Sequence, residues 1–214
     1  MEDFSTIVRF FDDGGIFMYF ILLILALGIA IATERYIYLS AAKSSSRRVW
    51  NALVPVLQSG NFAQAGEMAA KSKAAIANML SYGLAQIKQR SQHRDEIETA
   101  MEEGLMEVIP RLERRTHYLA TLANIATLMG LLGTIMGLIQ AFTAVASADP
   151  SQKADLLSSS ISVAMNTTAF GLMAAIPLLL MHALLTTKTT EVVDSLEMAA
   201  VKFLNIITKG NNAG

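Results

Sequence analysis

Residues 118–148 read YLATLANIATLMGLLGTIMGLIQAFTAVASA, a stretch of 31 residues without one Asp, Glu, Lys or Arg. A spanning helix needs about 20 consecutive apolar residues, so this segment alone predicts a membrane helix with length to spare. Two others share its character: Gly14–Thr33, 20 residues, and Leu156–Thr187, 32 residues. The three together hold none of the chain's 17 basic and 18 acidic side chains. All the charge is therefore packed into the remainder, which has ordinary soluble composition. The expected fold class is an all-α membrane protein: three transmembrane helices with long cytoplasmic helical extensions. With 53% hydrophobic residues, 16% charged residues and a mean hydropathy of +0.42, a soluble enzyme is excluded.

Basic residues set the expected topology. Residues 34–117 carry 12 of the 17 Lys and Arg, while the N-terminal arm has only Arg9 and the 149–155 loop only Lys153. Loops rich in Lys and Arg stay on the cytoplasmic side. The chain then divides into an extracytoplasmic arm at 1–15, transmembrane helix 1 at 16–39 and a cytoplasmic helical domain at 40–117. Transmembrane helix 2, with its cytoplasmic extension, takes 118–148. A periplasmic loop follows at 149–155, then transmembrane helix 3 at 156–187 and a cytoplasmic C-terminal helix and tail at 188–214. The first span is not expected to be a cleavable signal, because Glu2, Asp3, Asp12 and Asp13 precede it where a signal needs positive charge. Tyr19, Tyr36 and Tyr38 suit interfacial positions.

The soluble part reads helical. Asn61 suits an N-cap, since its side chain can accept from free amides of a first turn. From Asp95, the residues Ile97, Met101, Leu105, Val108 and Leu112 recur at helical spacing. This predicts one amphipathic helix running on into the second span, bent at Pro110. Glu102, Glu103, Arg111, Arg114 and Arg115 fall on its surface, and Lys209–Gly214 reads as a frayed end.

The later spans carry small and hydroxyl residues in stripes: Thr127, Gly130, Thr134, Gly137 and Ala141 on the second, and Ser160, Ala164, Thr168, Gly171 and Ala175 on the third. Steps of three and four put each set on one helix face. Small residues let membrane helices approach closely, so packing alone accounts for the glycines and alanines. The threonines differ in being matched in depth. Thr134 lies about 22 Å along its helix from Asp149, and Thr168 about 20 Å from Asp155. Asn166 and Thr167 add polar groups nearby. The pair marks a polar pathway or a docking surface, against the alternative of self-satisfied hydroxyls that only pack. Pro177 reads as a tolerated kink.

Proton relays in membranes rest on ionisable groups, and these spans offer none but His182, near the cytoplasmic end of the third. A titrating group would have to come from a partner. Zero cysteines remove disulfides and thiolate chemistry, and His93, His117 and His182 are scattered, so no enzyme site or metal site is expected. A net charge of −1 gives no reason to expect nucleic acid.

Gly130-Leu-Leu-Gly-Thr-Ile-Met-Gly-Leu, followed by Thr167-Thr-Ala-Phe-Gly-Leu-Met-Ala-Ala-Ile-Pro177, resembles the paired signature of the MotA/TolQ/ExbB family. Three spans with the N-terminus outside match its ExbB/TolQ branch. The resemblance implies a stator-like channel subunit, five copies of which surround the single spans of two ExbD/TolR-like partners. A membrane-embedded aspartate on the partner is expected to carry the ion, with Thr134 and Thr168 matching the family's pore-facing threonines. One position departs. Members of this branch often have a glutamate five residues before the third-span threonine, and here that residue is Val163. The departure raises sodium beside the proton as coupling ion, since hard cations favour oxygen ligands.

The resulting expectation is an inner-membrane motor subunit with no cofactor beyond the transported H+ or Na+. Its pore is lined by spans two and three, with span one outside facing lipid. A TonB- or TolA-like arm is one load it could drive. The competing expectation from another class is a non-conducting membrane scaffold.

Overall fold

The computed structural model describes residues 15–88 and 93–211. The expectations placed on the N-terminal arm before Gly15, with Glu2, Asp3, Arg9, Asp12 and Asp13, lie outside the described residues, as does the end of the tail after Asn211. Among the described residues there are six α-helices and no strand: α1 Ile16–Gln58, α2 Phe62–Ala70, α3 Ala75–Lys88, α4 Arg94–Glu113, α5 His117–Ser147 and α6 Lys153–Asn211. Three stretches of helix are long and apolar enough to cross a membrane, which is the all-α, three-span class read from composition. Helix α6 has 59 residues, about 88 Å at 1.5 Å per residue. A hydrocarbon core is about 30 Å thick, so most of α6 lies beyond any single crossing.

The chain forms two compact units, residues 15–34 with 115–184, and residues 35–114 with 185–211. The first holds the membrane stretches. Gly130 and Gly171 face each other: a Cβ on Gly171 would stand 3.1 Å from the Gly130 Cα and 2.8 Å from the Ala126 carbonyl oxygen. Gly137 meets Ala164, with 3.0 Å from a Cβ built there to the alanine methyl. These pairs run in opposite chain directions, so α5 and α6 are antiparallel and touch backbone to backbone. Helix α1 joins them through Phe17 beside Gly133 and Gly28 against Leu178. Large apolar side chains such as Leu128, Ile135, Phe142, Met165 and Leu180 point outward and are exposed. Such a surface suits lipid or another subunit rather than water.

The second unit has an apolar core around Phe203, with Leu39, Leu57, Met79, Leu80, Ile97, Met101 and Leu196 buried about it. Gly83 admits Met101 and Phe203, and Gly104 lets α4 approach the Met79 backbone to 3.0 Å from a built Cβ. Asn61 caps α2 as expected, its side chain accepting from the Gln64 amide at 3.1 Å. Tyr36 and Tyr38 each meet a cation. The Lys188 ammonium lies 3.6 Å from the Tyr36 ring centroid, and the Arg35 guanidinium 4.9 Å from that of Tyr38. Arg35 is buried and donates to the Leu112 carbonyl, one of the last of α4, where a helix end favours positive charge.

The sequence predicts a single helix from Asp95 into the second span, and the structure corrects this. Helix α4 passes Pro110 unbroken, and the Arg114 amide donates to the Pro110 carbonyl at 3.1 Å. The interruption comes at Arg115, whose φ is +67°. A left-handed residue other than glycine costs about 1–2 kcal/mol. Its guanidinium sits 3.4 Å from Glu34, an ion pair that favours this conformation. Glu102, Glu103 and Arg111 therefore belong to a separate helix, and Arg114 and Arg115 to the link between helices. Helix α6 runs on through Lys209 to Asn211, into the segment expected to fray.

Candidate functional site

The closest polar contact between spans two and three is the one the depth argument selects. Gly130 has no side chain, so α6 can bring the Thr168 hydroxyl to within 3.0 Å of the Gly130 carbonyl oxygen. Thr134, one turn along α5, reaches the same oxygen at 3.1 Å. The two hydroxyls also contact each other. Both side chains are half-buried. A shared carbonyl thus ties the two helices together at one level.

Counting protons shows what this cluster can do. Two hydroxyl hydrogens can serve only two of these three oxygen–oxygen contacts, so the fullest assignment uses both hydrogens inside the cluster. What the pair turns outward is lone pairs. It can accept a hydrogen bond from a protonated carboxyl group or from water, or lend oxygen to a cation. It can donate outward only by giving up the Gly130 carbonyl or the neighbouring hydroxyl. No Asp, Glu, Lys or Arg lies within His117–Ala148 or Leu156–Thr187. Among the described residues no cluster of His, Asp and Glu could hold a metal.

The other residues singled out by sequence divide. Thr167 is buried, donates to the Val163 carbonyl of its own helix at 3.0 Å, and lays its methyl against Gly133. Its neighbourhood is packing between helices. Asn166 is half-buried and stands about 160° around α6 from Thr168 at about 100° per residue; the structure does not bring it to the pair. Ser160 is half-buried, two turns away along α6, about 12 Å. Thr127 is exposed and donates to the Ala123 carbonyl at 3.1 Å. Gly130, Gly137, Ala164 and Gly171 form the close seam, and Pro177 lies exposed inside an unbroken helix. His182 is half-buried.

Sequence reasoning missed two features. Gly133 belongs to the seam, and its place between Gly130 and Gly137 at steps of three and four was the available signal. Arg35 is a buried charge seated on a helix end. Nothing in the spacing of Glu34-Arg35 marks it as anything but the edge of a span.

A profile of the MotA/TolQ/ExbB proton channel family matches residues 71–198, more than half of the chain. The chain belongs to that family. Among its relatives is an ExbB homolog described as a biopolymer transport protein, from Methanothermobacter thermautotrophicus. It is 27% identical over 197 residues, 91% of this chain and 68% of that protein. An ExbB-like biopolymer transport protein of Synechocystis is 30% identical over 187 residues, covering 86% of this chain and 72% of its own. The Tol-Pal system protein TolQ of Haemophilus influenzae is 37% identical over 78 residues, 36% of this chain and 34% of that one. These relatives place the chain on the ExbB/TolQ branch, as the three-span organisation suggested. The family is one of membrane channel-like subunits rather than enzymes. The matched region, residues 71–198, contains Gly130, Thr134, Thr168 and Gly171, the hydroxyl pair and its glycine seam.

Proposed function

We propose that this protein is the stator subunit of an ion-driven motor of the inner (cytoplasmic) membrane of bacteria. Its N-terminus lies outside and its C-terminus in the cytoplasm. Five copies form a ring, with spans two and three toward the axis and span one toward lipid. Two single-span partners of the ExbD/TolR type occupy the axis, each with an aspartate at the level of Thr134 and Thr168. The observation that supports this reading is the Gly130 carbonyl shared by both hydroxyls, which draws on their hydrogens and leaves the pair to act as acceptors. Lone pairs facing a pore suit a carboxyl group in its protonated state, which has a hydrogen to give. Loss of that proton removes the bond and leaves the carboxylate seeking another partner. Alternating the two states biases where the partner helix rests in the ring. The membrane potential supplies about 2.3 kcal/mol per charge per 100 mV, enough to shift a two-state equilibrium substantially at each step. The load is envelope transport or constriction through a TonB- or TolA-like arm.

Sodium as coupling ion has one observation in its favour. Position 163 is valine rather than the acid frequent in this branch, and the site offers neutral oxygens alone. The test is ion flux in proteoliposomes holding the complex with its single-span partner. Proton uptake in sodium-free buffer is the expected result, abolished when the partner's aspartate becomes asparagine. Flux that requires sodium would assign the other ion. An assembled complex that passes neither ion would refute the motor reading and leave a scaffold.

A further inference from the structure

Two faces of the second unit complement one another. Helix α4 carries seven carboxylates and two arginines in 20 residues. Its buried stripe is Ile97, Met101, Gly104, Val108 and Leu112, so its outward ridge is led by Glu102 and Met106. Met106 is 72% exposed, an apolar side chain with no cover. Glu102 and Glu103 stand one turn before it, exposed and without an ion pair among the described residues. Elsewhere on the unit, α1 and the 191–202 part of α6 enclose a cavity of about 510 Å³. Trp50 and the 58%-exposed Met198 give it an apolar floor, and Arg47 and Lys202 stand on its rim. Lys43 is engaged with Glu191 at 2.6 Å. Asp194 is the remaining acid, so the rim keeps one net positive charge.

Spacing matches as well as sign. On the ridge the carboxylates precede Met106 by three and four residues. In the groove Arg47 precedes Trp50 by three, and Lys202 follows Met198 by four. Each interval is one helical turn, about 5 Å. A sulfur ridge on an indole-and-thioether floor with two carboxylates over two cations would cover both exposed apolar sites together. We infer that the occupant of this groove is the α4 ridge of a second copy of the same chain, Met106 seated between Trp50 and Met198. The two surfaces differ, so the contact is head-to-tail, the kind that closes rings rather than twofold dimers. The inference rests on the ring reading above and adds the surface by which copies join.

The chain has no cysteine, so introduced thiols report without background. Two full-length chains, Met106→Cys and Met198→Cys, are co-expressed with the single-span partner, purified as the complex and oxidised. The expected result is a covalent dimer from the mixture and none from either chain alone. Reversing Glu102 and Glu103 to lysine should lower dimer yield at least tenfold, and adding Arg47→Glu and Lys202→Glu on the other chain should restore it. Native mass of the unsubstituted complex is measured first. A single copy per complex would overturn the ring and this contact together. An intact ring with no 106–198 product would overturn the contact alone, as would a product from Met106→Cys by itself.

Discussion

Replacing Thr168 by valine separates packing from chemistry at the hydroxyl pair. The change keeps the branched shape and deletes one oxygen. In the structure that oxygen stands 3.0 Å from the Gly130 carbonyl and touches the Thr134 hydroxyl, so valine removes one interhelical bond whatever else the residue does. Such bonds within membranes are worth about 0.6 kcal/mol on average and at most about 1.7. That loss lowers the melting temperature of the complex slightly and leaves it assembled. The hydroxyl's second role adds to this. A hydrogen bond accepted from a neutral carboxyl group contributes about 0.5–1.5 kcal/mol, which is about two- to tenfold in the populations concerned. Ion flux per assembled complex should therefore fall by that factor in Thr168→Val. It should return most of the way in Thr168→Ser, which restores the oxygen and lacks only the methyl. Thr134→Val should show an equal or smaller loss. Thr127→Val should be nearly silent, because that hydroxyl serves its own helix at Ala123. The assay is dye-reported flux in proteoliposomes, normalised to complex counted by native mass. Wild-type flux in both the Thr168 and Thr134 valine variants would refute the reasoning, and so would a serine variant as inactive as the valine.

Other outcomes follow from the same geometry. Gly171→Ala places a methyl 2.8 Å from the Ala126 carbonyl; it should force α5 and α6 apart and cost about 1–3 kcal/mol, seen as a lower melting temperature in detergent. Gly66→Ala meets open space within α2 and should stabilise by about 0.5–1 kcal/mol, whereas Gly104→Ala, crowded by Met79, should destabilise. The Lys43 ammonium holds the Glu191 carboxyl below its usual range. A depressed value stabilises the fold above the ordinary glutamate pKa of about 4.3 and is lost as pH falls through the lowered one. Lys43→Met should flatten that part of the melting-temperature profile, and an unchanged profile would show that the pair contributes nothing.

Composition and periodicity carried a long way, and the reasons they stopped are local. Charge-free length identifies a span because bilayer thickness is fixed, so three helices were legible. Thr134 and Thr168 were legible as a pair because depth along two helices of one hairpin follows from counting residues to the same loop. Asn166 is near Thr168 in sequence but not on its side of α6, because a helix turns residues two apart to nearly opposite sides. The division between α4 and α5 was invisible for a related reason. Leu112 and Leu119 are both buried and seven apart, so they would share a face of a continuous helix too. Periodicity reports which side a residue faces and is blind to one dihedral at Arg115. The charge-bearing contacts of the second unit, Arg35 on Leu112 and Lys188 on Tyr36, join residues remote in sequence and leave no trace in any window.

Pro177 gives the outer surface of α6 a particular demand. A proline has no amide hydrogen, so the carbonyl four residues earlier, at Met173, is deprived of its helical donor. Met173 is 53% exposed, and Pro177 on the next turn of the same face is exposed too. In hydrocarbon an acceptor without a donor costs several kcal/mol. Lipid tails offer no donor to the 173/177 face of α6. A water file or a donor on another chain would relieve it. The backbone, and not any side chain, thus has a say in which way the third span turns.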